Sequence, residues 1–121
     1  MGDIMHYKIV KLKNPFLQTV YTYPCLVELL YLKQNNHFET KQVEHLFEPM
    51  NDGKKRLLEH IQQREDYSYY HGVHRIINPI TQETISIIMN EFDIEVEEDH
   101  ENHVIFDIMK ALSQNFYMIK A

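Results

Sequence analysis

The sequence predicts one α+β domain: a largely antiparallel sheet of about five strands covered by helices. Three observations lead there. The chain of 121 residues is long enough for a single domain with a real core, and its 44% hydrophobic and 25% charged content is ordinary for a globular fold. Apolar residues recur with a helical period through residues 24–64, then alternate along residues 67–98. With only three glycines, four prolines and no low-complexity tract, disorder is expected only at the ends. The expected order is β-α-α-α-β-β-β-α-β, as a single domain over residues 5–120 with no internal repeat.

The elements follow from local signals. Tyr7 to Lys13 reads as a strand, stopped by Asn14-Pro15. Residues 14–24 fit neither a clean strand nor a clean helical stripe. Pro24 suits the first turn of a helix running to about Lys33, with Leu26, Val27, Leu29 and Leu30 on a wide apolar face. Asn35-Asn36 breaks it. Thr40 caps a short helix holding Val43, Leu46 and Phe47, ended by Pro49. Asn51-Asp52-Gly53 reads as a turn before a third helix, Lys54 to Arg64, with Leu57, Leu58 and Ile61 on one side. Tyr67 to Ile77 reads as a strand with Gly72 as a bulge, ended by Asn78-Pro79. Thr84 to Asn90 and Phe92 to Glu98 form an antiparallel hairpin. Phe92, Ile94 and Val96 face inward there, and Asp93, Glu95 and Glu97 face outward. Asp99 or Asn102 caps a last helix bearing Val104, Ile105, Ile108, Met109 and Leu112, and Phe116 to Ile119 is a terminal strand.

Composition excludes several classes of function. No apolar run approaches the ~20 residues needed to span a bilayer. Met1 to Lys13 lacks the features of a signal peptide. The single cysteine, Cys25, suits a reducing cytoplasm. Net charge is −6: residues 1–75 carry ten Lys/Arg against nine Asp/Glu, residues 76–121 two against nine. Direct nucleic-acid binding is therefore disfavoured. Lys8, Lys11 and Lys13 form a local basic patch. It either faces an acidic partner or guards a solvated edge strand.

Constellations that carry chemistry are weak. His71 and His74 have ligand-like spacing, but on a strand they point to opposite faces. His100 and His103 flank a helix start, with Glu101 nearby, and no further ligand has recognisable spacing. The acidic run from Glu91 to Glu101 lacks the glycine and ligand order of a calcium loop and reads as the wet face of an outer hairpin. Cys25 is either a nucleophile or a buried core thiol, and the apolar helix face around it favours the latter. Phosphate loops and nucleophile elbows are missing. Tyr67, Tyr69 and Tyr70 form a stacking platform or an edge packing cluster. No cofactor and no metal is expected.

That leaves the aromatic stretch 14–24. Phe16, Tyr21 and Tyr23 sit among hydroxyl-bearing residues between two prolines, the kind of side chain enriched where one protein docks on another. The alternative is that Phe16 and Tyr21 seal one edge of the core.

Short matching segments run in order along nearly the whole chain, Tyr7 to Ile119. They are Val27-Glu28-Leu29, Phe38 to Val43 leading to Glu48-Pro49, Tyr67 to Pro79, and Val104 to Ile119. In these the chain resembles the SirA family, sporulation inhibitors of replication. The resemblance implies a non-enzymatic, cytoplasmic regulator that binds the N-terminal domain of DnaA, the initiator of chromosome replication, and blocks new rounds of initiation. It also implies a contact surface. Phe16 matches an aromatic anchor of that surface. A second anchor, a tyrosine in the family, falls at Val20 and Tyr21, where this chain is one residue shorter. Gln42 matches a polar contact, and His45 stands where the family has another tyrosine. Two other readings stand beside this one: a binding module of the same fold with a different partner, and a small histidine metal-binding protein.

Overall fold

Strand β1 (Met5–Leu12) joins the two cores of the fold. Its side chains alternate between two cores. Tyr7 and Ile9 enter one hydrophobic cluster, Val10 and Leu12 the other. A strand buried on both faces must be central, and β1 pairs antiparallel with three others.

The computed structural model describes residues 4–23, 25, 27, 47–99 and 103–120. After β1 come α1 (Asn14–Thr22), β2 (Phe47–Glu48), α2 (Asn51–Ile61), β3 (Tyr67–Tyr70), β4 (Val73–Ile77), β5 (Thr84–Met89), β6 (Asp93–Glu98), α3 (Val104–Leu112) and β7 (Phe116–Lys120). The strands form one antiparallel sheet in the order β2-β1-β6-β5-β4-β3, with β7 also paired to β1. The α+β class is as predicted, with seven strands among the described residues in place of about five. No helix among the described residues is long and apolar enough to cross a membrane.

The first core lies between the sheet and helices α2 and α3. Leu57 and Ile61 of α2 and Ile105 and Met109 of α3 meet Ile76, Ile87, Ile94 and Val96 of the strands. The helical spacing of those four residues puts each pair on one face. The second core lies under α1, where Val20 and Leu17 pack on Val10, Leu12, Phe47 and Ile119.

Several expectations are corrected. Residues 14–22, read as irregular, form α1: Pro15 occupies the first helical turn, where its missing N–H costs nothing. Asn51-Asp52-Gly53 is the start of α2, not a turn. A Cβ at Gly53 would stand 3.1 Å from Phe116 Cζ and 3.2 Å from Met109 Cε, so the helix packs closely on both there. Phe47 is in a strand; with Glu48 it pairs to Leu12 and Lys11. Tyr67 to Ile77 is a hairpin and not one bulged strand. Its two-residue turn, His71-Gly72, has φ of 48° and 80°, the left-handed pair that hairpins of this length require. Phe92 precedes β6 and packs on the second core. Cys25 is exposed, not buried. The expected helices from Pro24 to Lys33 and from Thr40 lie mostly outside the described residues.

The lysines, expected on an edge, sit on and after a central strand. Lys8 lies 3.4 Å from Glu95 and 4.0 Å from Asp93, and Lys11 lies 3.4 Å from Glu48. The acidic run is thus not simply a wet face, since its outward carboxylates neutralise β1 across the ladder.

Glu98 departs furthest from expectation. It continues the parity of Ile94 and Val96 and is only 2% exposed. Its Oε1 accepts a hydrogen bond from the Val104 backbone N–H at 3.0 Å, so this buried carboxylate, and not Asp99, caps α3. Asp99 instead accepts from the Thr84 N–H at 2.7 Å, and Asn102 lies outside the described residues. The other Glu98 oxygen accepts from the Tyr7 hydroxyl, which itself accepts from the Phe106 N–H at 3.2 Å. Burial, reinforced by the Glu98 carboxylate, pushes the Tyr7 phenol far above its ordinary value. His103 stands at the helix entry with φ of 51°, its ring edge-on to Tyr7.

Candidate functional site

Helix α1 is fixed at both ends to the loop between α3 and β7. At its start, Asn115 Nδ2 donates to the Leu12 carbonyl and to Asn14 Oδ1, both at 2.8 Å. At its end, the Tyr21 hydroxyl donates to the Gln114 carbonyl at 2.7 Å and accepts from Lys110 Nζ. The lysine also lies 4.8 Å from the centre of the Tyr21 ring. Between these clamps, Leu17 and Val20 anchor the inner face in the second core.

The outer face of α1 carries no charge. Asn14, Pro15, Gln18, Thr19 and Thr22 are exposed, and neither the first nor the last turn holds an acidic or basic residue. Tyr23, just past the helix, is 63% exposed. The result is a neutral surface with an aromatic end.

The structure sorts the predicted contact residues. Phe16 is half-buried on one flank of the inner stripe, next to Thr19. Val20 is only 2% exposed and belongs to the core, so its side chain offers nothing to a partner. Tyr21 is 45% exposed, yet its hydroxyl and ring are engaged by Gln114 and Lys110. Phe16 and Tyr21 are five residues apart on the helix, which places them about 140° apart around its axis. They flank opposite sides of the buried stripe. Gln42 and His45 lie outside the described residues. Lys110 and Asn115, which hold α1 in place, were not singled out from sequence. Their one signal is the polar Ser113-Gln114-Asn115 turn between two apolar elements.

The histidines are placed differently from a metal pair. His71 lies in the β3–β4 turn with its ring 4.0 Å from Tyr70, whereas His74 Nδ1 shares a 2.7 Å hydrogen bond with the Tyr67 hydroxyl. Among the described residues no three His, Cys, Asp or Glu side chains come together as metal ligands. His100 lies outside them. Compared with known proteins, the chain matches no family model and no curated protein.

Proposed function

We propose that this chain acts by protein–protein docking through α1 as a SirA-like inhibitor. It would occupy the N-terminal domain of DnaA and so block initiation of DNA replication. One observation carries the docking part: α1 is clamped at both ends while its outer face stays neutral and exposes Tyr23. A helix held this way loses little conformational entropy on binding, which favours affinity. The DnaA part rests on the segment resemblance, in which Phe16 matches an anchor. Phe16 sits on the flank that leads through Thr19 toward Tyr23.

The test is a calorimetric titration of the chain with the isolated N-terminal domain of DnaA from the same organism. Saturable one-to-one binding is expected, weakened ~30-fold or more by Phe16→Ala, as for an interface hot spot. Circular dichroism and the melting temperature establish that the variant is folded. Thr19→Arg, on the same exposed flank and outside the core, should weaken binding with no loss of stability. No heat at high concentration would remove DnaA as partner and leave the same surface to another protein. Full affinity in both folded variants would remove α1 as the docking surface.

A further inference from the structure

Among the described residues, α2, β4 and β5 frame a groove away from α1. We propose that this groove docks an acidic peptide segment of a partner protein. An apolar side chain of the segment would rest on Leu58 and Met89, and its carboxylates would reach Lys54, Lys55 and the ring of His74.

The groove follows from how α2 meets the sheet. Leu57 and Ile61 point into the core, which turns Lys54, Lys55, Leu58 and Glu59 toward the rim. Across from them stand His74 of β4 and Met89 of β5. Those four, with Asn51, Gln62, His74 and Met89, line an open groove of about 580 Å³. Leu58 and Met89 are half-buried on the first core and form its apolar floor. Tyr69, 58% exposed, packs its ring 4.7 Å from His74.

The polar groups are arranged for an anion. Neither Lys54 nor Lys55 takes part in an ion pair among the described residues. His74 has its Nδ1 committed to the Tyr67 hydroxyl. Burial holds its imidazole below the ordinary range, so the ring is neutral at pH 7. Nε2 is the ring nitrogen left for a ligand.

Glu59 and the apolar floor decide the class of partner. Two lysines against one carboxylate leave a small positive excess, which suits a few carboxylates and not a run of phosphates. Leu58 and Met89 ask for aliphatic contact, which a phosphate backbone cannot supply.

The test uses the full chain, isotopically labelled, and a capped hexapeptide alternating Asp and Leu. Its Asn/Leu counterpart, a thymidine oligonucleotide and inorganic phosphate serve as comparisons. The Asp/Leu peptide should shift the Leu58 and Met89 methyl and His74 ring resonances saturably. Affinity should fall about tenfold with the Asn/Leu peptide, and about as much in the Lys54→Gln/Lys55→Gln variant, whose fold is checked by circular dichroism. Phe16→Ala should leave this response unchanged, which separates it from the α1 surface. The inference is overturned if no shift occurs up to about 2 mM, where Kd values would be too weak to matter. It is equally overturned if the Asn/Leu peptide binds as well, or if the oligonucleotide or phosphate binds more tightly.

Discussion

Removing one oxygen atom, in Tyr7→Phe, tests the polar centre of the fold. Tyr7 is 1% exposed and Glu98 2%, so neither can turn to water. The hydroxyl does two things: it donates to the Glu98 carboxylate and accepts the Phe106 N–H. Without it, Glu98 keeps only the Val104 N–H, and the Phe106 N–H in the first turn of α3 loses its acceptor. A hydrogen bond to a buried charge contributes ~1.5–3 kcal/mol, and an orphaned backbone donor costs ~1 kcal/mol or more. The two together predict a loss of about 3 kcal/mol. For a domain of this size that lowers the melting temperature by roughly 10 °C. Urea unfolding followed by circular dichroism measures it, because the slope gives a check on two-state behaviour. Adding Glu98→Leu should return part of the stability, since an apolar pair leaves no unmatched charge and the partly exposed Val104 N–H can reach water. A coupling of ~1 kcal/mol or more is expected between the two substitutions. A loss below ~1 kcal/mol in Tyr7→Phe, with no coupling, would refute the view that Glu98 is held as a buried charge by this hydroxyl.

Other outcomes follow from the same geometry. Gly53→Val forces a branched side chain against Phe116 and Met109, whose nearest atoms lie only 3.1–3.2 Å from where its Cβ must stand, and should cost ~2 kcal/mol in urea unfolding. His74 is held below its unfolded value by burial, so the unfolded chain binds the proton more readily as pH drops. Stability should therefore be intact above the unfolded histidine value of 6.5 and decline as pH falls through the lower folded value. His74→Gln should flatten that decline in melting curves taken across the same pH range. If the neutral face of α1 is the docking surface, affinity for the DnaA domain should change less than about threefold between ~0.05 and ~0.3 M salt by calorimetry.

Long-period signals were legible in the sequence. The stripe Val104 to Leu112 is α3, and the alternation of Ile94 and Val96 is β6, because each pattern repeats several times within one element. Features that occupy two residues were not legible. Phe47–Glu48 is a strand only because Leu12 and Lys11 lie opposite, and no local pattern encodes that pairing. His71-Gly72 splits one β-rich run because both residues take positive φ, and histidine is not an expected partner in such a turn. Pro15 read as a stop when it opens α1, since proline fits both roles. Glu98 was legible and missed: its parity with Ile94 and Val96 points inward, but its charge placed it with its acidic neighbours. For the candidate site, Phe16 and Tyr21 were visible as aromatic, but only the packing reveals that Val20 is core and Tyr21 a clamp.

The central position of β1 has a consequence for how the protein is made. This strand is synthesised before the other six, yet the strands that complete it are β6 and β7, the latter ending at Lys120. Almost the whole domain must leave the ribosome before its first strand has both neighbours. Until then Ile9, Val10 and Leu12 stay exposed on the nascent chain, with Lys8, Lys11 and Lys13 interspersed as the charges that keep such a segment from self-association. Contacts between the two ends of the domain also slow folding, since the loop must close before any pairing repays it. A chain truncated before β7 should accumulate as an aggregation-prone species and not as a smaller folded domain.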